Sequence, residues 1–259
     1  MIRSLRSVAL VALALGCSAA EDPPRLRVKV AADASEIRAV LTDLGYEVRL
    51  TEAAAVVADL HFLVSETATA RYRPADWLLP RAHAHPGHHH GGAIAGELAG
   101  RFVLRWLPEA SRLGEATLLS GRYVGASYAF VPAEENDGVE PEDPLHGRAA
   151  LLGGRVLSDE RELVFVVLFD PPDQRMDHVP FDAVIDDDSA VLGLRLKLEA
   201  DGGVSLFDGI DFFALAPGAG EPLVIASDHP DPEVRVAHQR LRSAFFHHRF
   251  HEVRALRGR

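Results

Sequence analysis

Apolar residues recur at every second position through most of this chain, and that period narrows the fold more than any other feature of the sequence. Successive side chains of a strand point to opposite faces, so a period of two buries one face and wets the other. In the cleanest case Leu192, Leu194, Leu196 and Leu198 alternate with Gly193, Arg195, Lys197 and Glu199. Leu26, Val28 and Val30 alternate with Arg27 and Lys29, and Tyr46, Val48 and Leu50 with Glu47, Arg49 and Thr51. The same signal predicts strands over 56–65, 102–107, 118–131, 149–157, 162–169 and 179–185. Within 118–131 the spacing puts Val124, Ala126, Tyr128 and Phe130 on one face. Residues 163–169 are apolar on both faces, which predicts a central, doubly covered strand. Asp201-Gly202-Gly203 predicts a tight hairpin into 204–207, and residues 208–213 close the β region.

Three stretches depart from this period. Ser35 is a candidate N-cap, Ile37, Val40, Leu41 and Leu44 form an apolar stripe, and Gly45 follows, which predicts a short helix over 35–44. Gly92-x3-Gly96-x3-Gly100 reads as loop plus one helical turn, because such a motif carries weight only inside a long apolar span. Near the end, Asp231 is a good N-cap and Pro232 suits the first helical position. Val234, Ala237, Leu241, Phe245, His248 and Val253 then predict a helix over about 230–256. Together these signals predict a mainly β fold, an antiparallel β-sandwich with a C-terminal α-helix packed on it, as a single domain over 26–259.

Chemistry concentrates in His83-Ala84-His85-Pro86-Gly87-His88-His89-His90, which holds five of the 13 histidines. Neutral imidazole is the commonest protein ligand for borderline transition metals. An extended His83-x-His85 puts both rings on one side, and Pro86-Gly87 can turn the second cluster toward the first. His83, His85, His88, His89 and His90 are therefore the candidate ligands for one Zn or Cu ion, the competing reading being a solvated polar loop. His61, beside Asp59 on a partly polar face, is a further candidate. So are His247 and His251, four apart and one helical turn from each other on the predicted helix.

The first 17 residues read as a lipoprotein signal peptide. Arg3 and Arg6 form a positive start, residues 8–15 are Val, Ala and Leu, too short a run to span a bilayer, and Ala14-Leu15-Gly16-Cys17 ends on the chain's one cysteine. The arrangement resembles a lipobox, with Ala14 where Leu is usual; the competing reading is an ordinary secretory leader cleaved near Ala19-Ala20. Cys17 is the predicted lipidation site, and 18–25 a short tether carrying Pro23-Pro24. Ser18, rather than Asp, follows the cysteine, which favours the outer membrane, with the body facing the periplasm or the cell surface.

A formal net charge of −11 leaves no basic surface to displace phosphate counterions, so nucleic acid is excluded as a partner. A single cysteine excludes an intramolecular disulfide and a thiolate zinc site. The chain has no His-Glu-x-x-His, no Gly-x-Ser-x-Gly and no Walker loop, and it reads as a non-enzyme.

The order of these features resembles that of uncharacterised bacterial surface lipoproteins with a β-sandwich body. They share a lipobox, a segment like Gly45-Tyr46-Glu47-Val48-Arg49-Leu50-Thr51-Glu52-Ala53 and a loop like His83-Ala84-His85-Pro86-Gly87-His88. A later segment like Phe207-Asp208-Gly209-Ile210-Asp211-Phe212 closes their sandwich. The resemblance implies an envelope location, a membrane partner through the lipid, and metal handling; it brings no catalytic residue. Two functions are expected on these grounds. One is a metal-binding envelope lipoprotein for sensing, buffering or delivery. The other is a structural or interaction module with incidental histidines.

Overall fold

The apolar run over 53–58 lies in the middle of the longest strand among the described residues. In the computed structural model, which describes residues 24–65, 93–159, 161–218 and 220–256, β3 spans Glu47–Val64 without interruption. The sequence suggests two strands here; the alanines at 53–55 are buried and join them into one. Ahead of β3 lie β1 (Arg25–Asp33) and the two-residue β2 (Val40–Leu41). The predicted helix over 35–44 is absent. Val40 is buried and pairs with Val48 and Ile37 packs on the core, whereas Leu41 and Leu44 face solvent, so the four do not share one buried face.

β3 is shared by two groups of strands. One edge pairs with β2 and then with β4 (Ala93–Leu107); the other pairs with β7 (Ala150–Ser158) and then with β6 (Gly121–Phe130). On the second edge the partner changes between Ala55 and Val57, and β3 carries register shifts at Leu50/Glu52 and around Asp59, whose φ is 50°. Gly154 lies opposite the first shift, where any Cβ would collide with the Arg49 carbonyl.

From the second half of β3 the sheet curls in both directions. One way it runs through β4, β5 (Arg112–Leu119), β1, β10 (Val191–Leu196) and β14 (His251–Leu256). The other way it runs through β6 to β9 (Met176–Ile185). The curl brings β9 alongside β14, but no ladder joins them among the described residues. Pro180, which has no N–H to give, sits on β9, as befits a strand with one free edge. Inside this almost closed ring lie Phe62, Trp106, Tyr123 and Phe181, all buried.

The remaining strands form a wing on the first half of β3. β7 pairs with β8 (Arg161–Phe169), and β8 with β13 (Leu223–Ile225). A small separate hairpin, β11 (Glu199–Ala200) and β12 (Val204–Ser205), turns through Asp201-Gly202-Gly203 as the sequence predicts. Residues 207–213 do not form a closing strand; Phe207 and Phe212 instead pack their rings on Phe165. The strand over 163–169 is second from the edge, and Val164 is 47% exposed, so only its Phe165, Val167 and Phe169 face is fully covered.

The fold is thus mainly β with one α-helix near the C-terminus, but the sheet is mixed. β1–β10 and β13–β8 are parallel pairs. Alternation reports which face is buried and says nothing about strand direction, so the antiparallel arrangement expected from the sequence is not what is observed. Two further strand details differ from expectation. The Gly96 region is strand, not helical turn, because Gly96 lets the Leu118 side chain of β5 lie against the backbone. In β6 a register shift between Tyr123 and Gly125 turns Tyr123 inward and leaves Val124 46% exposed, so Val124 does not share the face of Ala126, Tyr128 and Phe130.

The helix α1 spans Pro232–Phe245, with the Asp231 carboxylate accepting from the Glu233 N–H at 2.8 Å. It packs Val234, Ala237, Leu241 and Phe245 inward, and the Phe245 ring stacks on Phe169 at 4.7 Å. The helix stops about eleven residues short of the predicted end. His248–Phe250 make a single 3-10 turn, and the chain then enters β14 against β10, where Val253 faces Leu194. A six-residue ladder that buries His251 and Val253 outweighs about three more helical turns on a half-polar stripe.

Candidate functional site

Cys17 and the histidines at 83, 85, 88, 89 and 90 lie outside the described residues. The positions flanking that histidine segment are described: Val64 and Ala93 are register partners across β3 and β4. The chain between them therefore starts and ends one strand spacing apart on a paired sheet.

The three further candidate histidines are not brought together. His61 points away from the ring, and its Nδ1 lies 3.5 Å from Arg175 Nη2, which also donates to the Asp59 carbonyl at 2.6 Å. A guanidinium at that nitrogen opposes a metal cation there. His247 is exposed and its Nδ1 accepts the Arg249 N–H at 3.2 Å. His251 is fully buried in β14. The expected one-turn pair of His247 and His251 does not exist, because the helix ends before either residue. Among the described residues, no group of three His, Cys, Asp or Glu side chains is placed to hold a metal ion.

His251 sits among aromatic rings, with Phe245 at 5.4 Å, Phe130 at 5.7 Å, Tyr128 at 6.3 Å and Trp106 at 6.4 Å. Its Nε2 is 2.7 Å from the Phe245 carbonyl, so Nε2 carries the proton and Nδ1 presents a lone pair. That Nδ1 has no partner among the described residues. Burial drives the imidazole pKa down to about 4 against the opposing bond to Phe245, with His248 and Lys197 adding repulsion. His251 is therefore neutral at pH 7 and fixes the end of α1 to the sheet.

A second buried histidine belongs to a polar knot where β7, β8, β13 and α1 meet. His238 Nε2 lies 2.9 Å from the Leu168 carbonyl, and burial lowers its pKa. Beside it Arg148 donates to Asp170 at 2.5 Å and to Asp228 at 3.1 Å, and the Ser227 hydroxyl also donates to Asp170. Serine, histidine and aspartate are neighbours here, yet the imidazole is not interposed between hydroxyl and carboxylate. The arrangement ties three strand ends to the helix and leaves Ser227 with no activating base.

The open feature nearest this region is a cleft of about 300 Å³ at the end of α1. Phe130, Met176 and Phe246 line its apolar part; Arg175, Arg242 and Asp173 line its polar part. Arg242 Nη2 donates to the Pro171 carbonyl at 3.3 Å, and its guanidinium lies 5.6 Å from the centre of the Phe246 ring. None of this follows from sequence spacing. The one trace of it is that Phe246 follows Phe245 directly, so the two rings cannot share the helix's buried face.

Among the described residues no helix is long and apolar enough to cross a membrane. Compared with known proteins, the chain matches no family model, and neither a curated protein nor a solved structure is significantly similar to it.

Proposed function

We propose that the protein is a lipid-anchored envelope protein that binds a transition metal ion, Zn²⁺ or Cu²⁺, through the histidines at 83, 85, 88, 89 and 90, for sensing, buffering or delivery. The observation that carries this reading is the sequence of the segment, in which five histidines fall within eight residues, close enough along the chain for several imidazoles to reach one ion. An all-imidazole donor set suits zinc or copper(II) over calcium or magnesium. The described histidines His238 and His251 are committed to backbone carbonyls. A net charge of −11 raises the local concentration of cations. The ligands compete with protons, so affinity falls below about pH 6.

Isothermal titration of the untagged protein with zinc and with copper(II) tests the reading. Wild type binds about one ion, and the variant with all five loop histidines changed to Ala binds none. Equal binding by both removes the loop as the site. Labelling with a palmitate analogue tests the anchor, since label persisting in Cys17→Ser excludes lipidation there.

A second reading, an interaction module, is favoured by the facing edges of β9 and β14, which pair with no strand among the described residues. Phe181 and Val253 line the groove between them, with the exposed Val124 at its rim. Free strand edges accept an added strand from a partner. A photo-crosslinking residue at Val184, 64% exposed on β9, captures a partner on this reading and none on the first.

A further inference from the structure

We propose that the cleft at the end of α1 binds a small organic anion, a carboxylate or phosphate group carried on a flat apolar body. This is independent of any metal bound at the histidine segment.

Charge carries the first part of the argument. The chain has 38 acidic and 27 Lys or Arg residues, and many of its arginines are held by carboxylates. Arg101 pairs with Asp137 at 2.8 Å, Arg122 with Asp182 at 2.9 Å and Arg195 with Asp33 at 2.7 Å. Arg175 and Arg242, like Arg235 and Arg240, form no ion pair among the described residues; Nη2 of Arg175 and of Arg242 rests on a backbone carbonyl, of Asp59 and Pro171 respectively, and these two share one cleft. A carbonyl orients a guanidinium without neutralising it, and most of its five N–H donors stay available. Two guanidinium groups without an ion-pair partner among the described residues, against the single carboxylate of Asp173 on the same cleft, form a local anion site held in place by the backbone.

The cleft's other wall sets what the anion is attached to. Phe130 and Met176 are buried beneath it, and the half-buried Phe246 offers a ring edge and face. Arg242 and Phe246 are already arranged as cation and ring, which places the charged and apolar parts of a ligand side by side. A volume of about 300 Å³ is at the small end of ligand clefts, so the body is one ring or a short chain. Asp173, exposed at the mouth, repels an anion and limits affinity.

Backbone amide NMR of the full chain at low salt, titrated with phenyl phosphate, tests the proposal. Saturable shifts are expected at Gln174, Arg175, Met176 and Phe246, with much weaker effects from benzyl alcohol, which lacks the charge, and from inorganic phosphate, which lacks the ring. Arg242→Gln weakens binding about tenfold or more, as for one lost charge-assisted hydrogen bond. Asp173→Asn tightens it. Arg175→Gln also loosens the tether to Asp59, so Arg242→Gln, which gives up one long bond of 3.3 Å, is the deciding variant. Equal shifts with benzyl alcohol, or wild-type affinity in Arg242→Gln, overturns the proposal.

Discussion

Trp106 and Leu194 stand 88 residues apart in the chain, and the indole Nε1 of one donates to the backbone carbonyl of the other at 2.8 Å. Their strands, β4 and β10, are separated along the sheet by β5 and β1, so the bond is a chord across the inside of the ring. It is buried, and it couples the long β3–β4 hairpin to the parallel β1–β10 pair. Trp106→Phe keeps an aromatic ring but removes the donor, at a cost of about 1 kcal/mol, with the vacated volume adding to it. Urea unfolding followed by circular dichroism checks this; an unchanged midpoint means that the bond contributes nothing.

Arg195 is the residue on which the simplest reading of β10 fails, and it yields the second prediction. Alternation assigns Arg195 to a wet face, yet its side chain is 6% exposed. Nε and Nη2 donate to Asp33 Oδ2 at 2.9 and 2.7 Å, Nη2 also to Ser35 at 2.9 Å, and Nη1 lies 3.4 Å from Glu252. β1 and β14 flank β10, so this one guanidinium ties three strands. Removing one partner of a buried pair leaves a charge without its counter-ion, so Asp33→Ala is expected to cost about 3 kcal/mol, the low end for such sites because Glu252 remains. Arg155→Ala breaks a pair with Glu162 in which both side chains are about half exposed, and should cost less than about 1 kcal/mol. Similar losses in the two variants would show that Arg195 acts no differently from a surface arginine.

Much of the strand content was legible because burial of one face leaves a period of two, and the Asp231-Pro232 start of α1 was legible because capping is local. What was not legible is non-local. Parallel pairing of β1 with β10 leaves no trace in either strand, and a register shift at Tyr123 inverts the face on which Val124 lies. The end of α1 was misplaced because His248 and Val253 fit a helical stripe and a strand ladder alike until β10 is present to pair. The same gap explains the sites. His251 reads as a helical surface ligand and is a buried neutral ring, while the Arg175–Arg242 cleft joins residues 67 positions apart that carry no motif.

The last prediction concerns acid. The imidazole of His251 titrates at about 4 when folded, against 6.5 for the exposed ring. The unfolded chain therefore takes up the proton first as pH falls, and each step between those values favours unfolding. The contribution is complete above pH 6.5 and declines by about 3 kcal/mol on the way to pH 4. His238, lowered by burial, adds to the same slope. Asp33 acts in a lower window. Burial favours its neutral form, but hydrogen bonds from Ser35 and Arg195 overcome this and hold it below its ordinary 3.8, so its loss begins only under about pH 4. His251→Phe keeps a flat ring among Phe130, Tyr128 and Phe245 and has no proton to gain. At pH 7.5 it loses the bond to the Phe245 carbonyl, about 1 kcal/mol, and is less stable than wild type. By pH 4.5 wild type has lost more than the variant, so plots of urea midpoint against pH should cross. Parallel plots would mean that the buried imidazole does not set the acid limit of this fold.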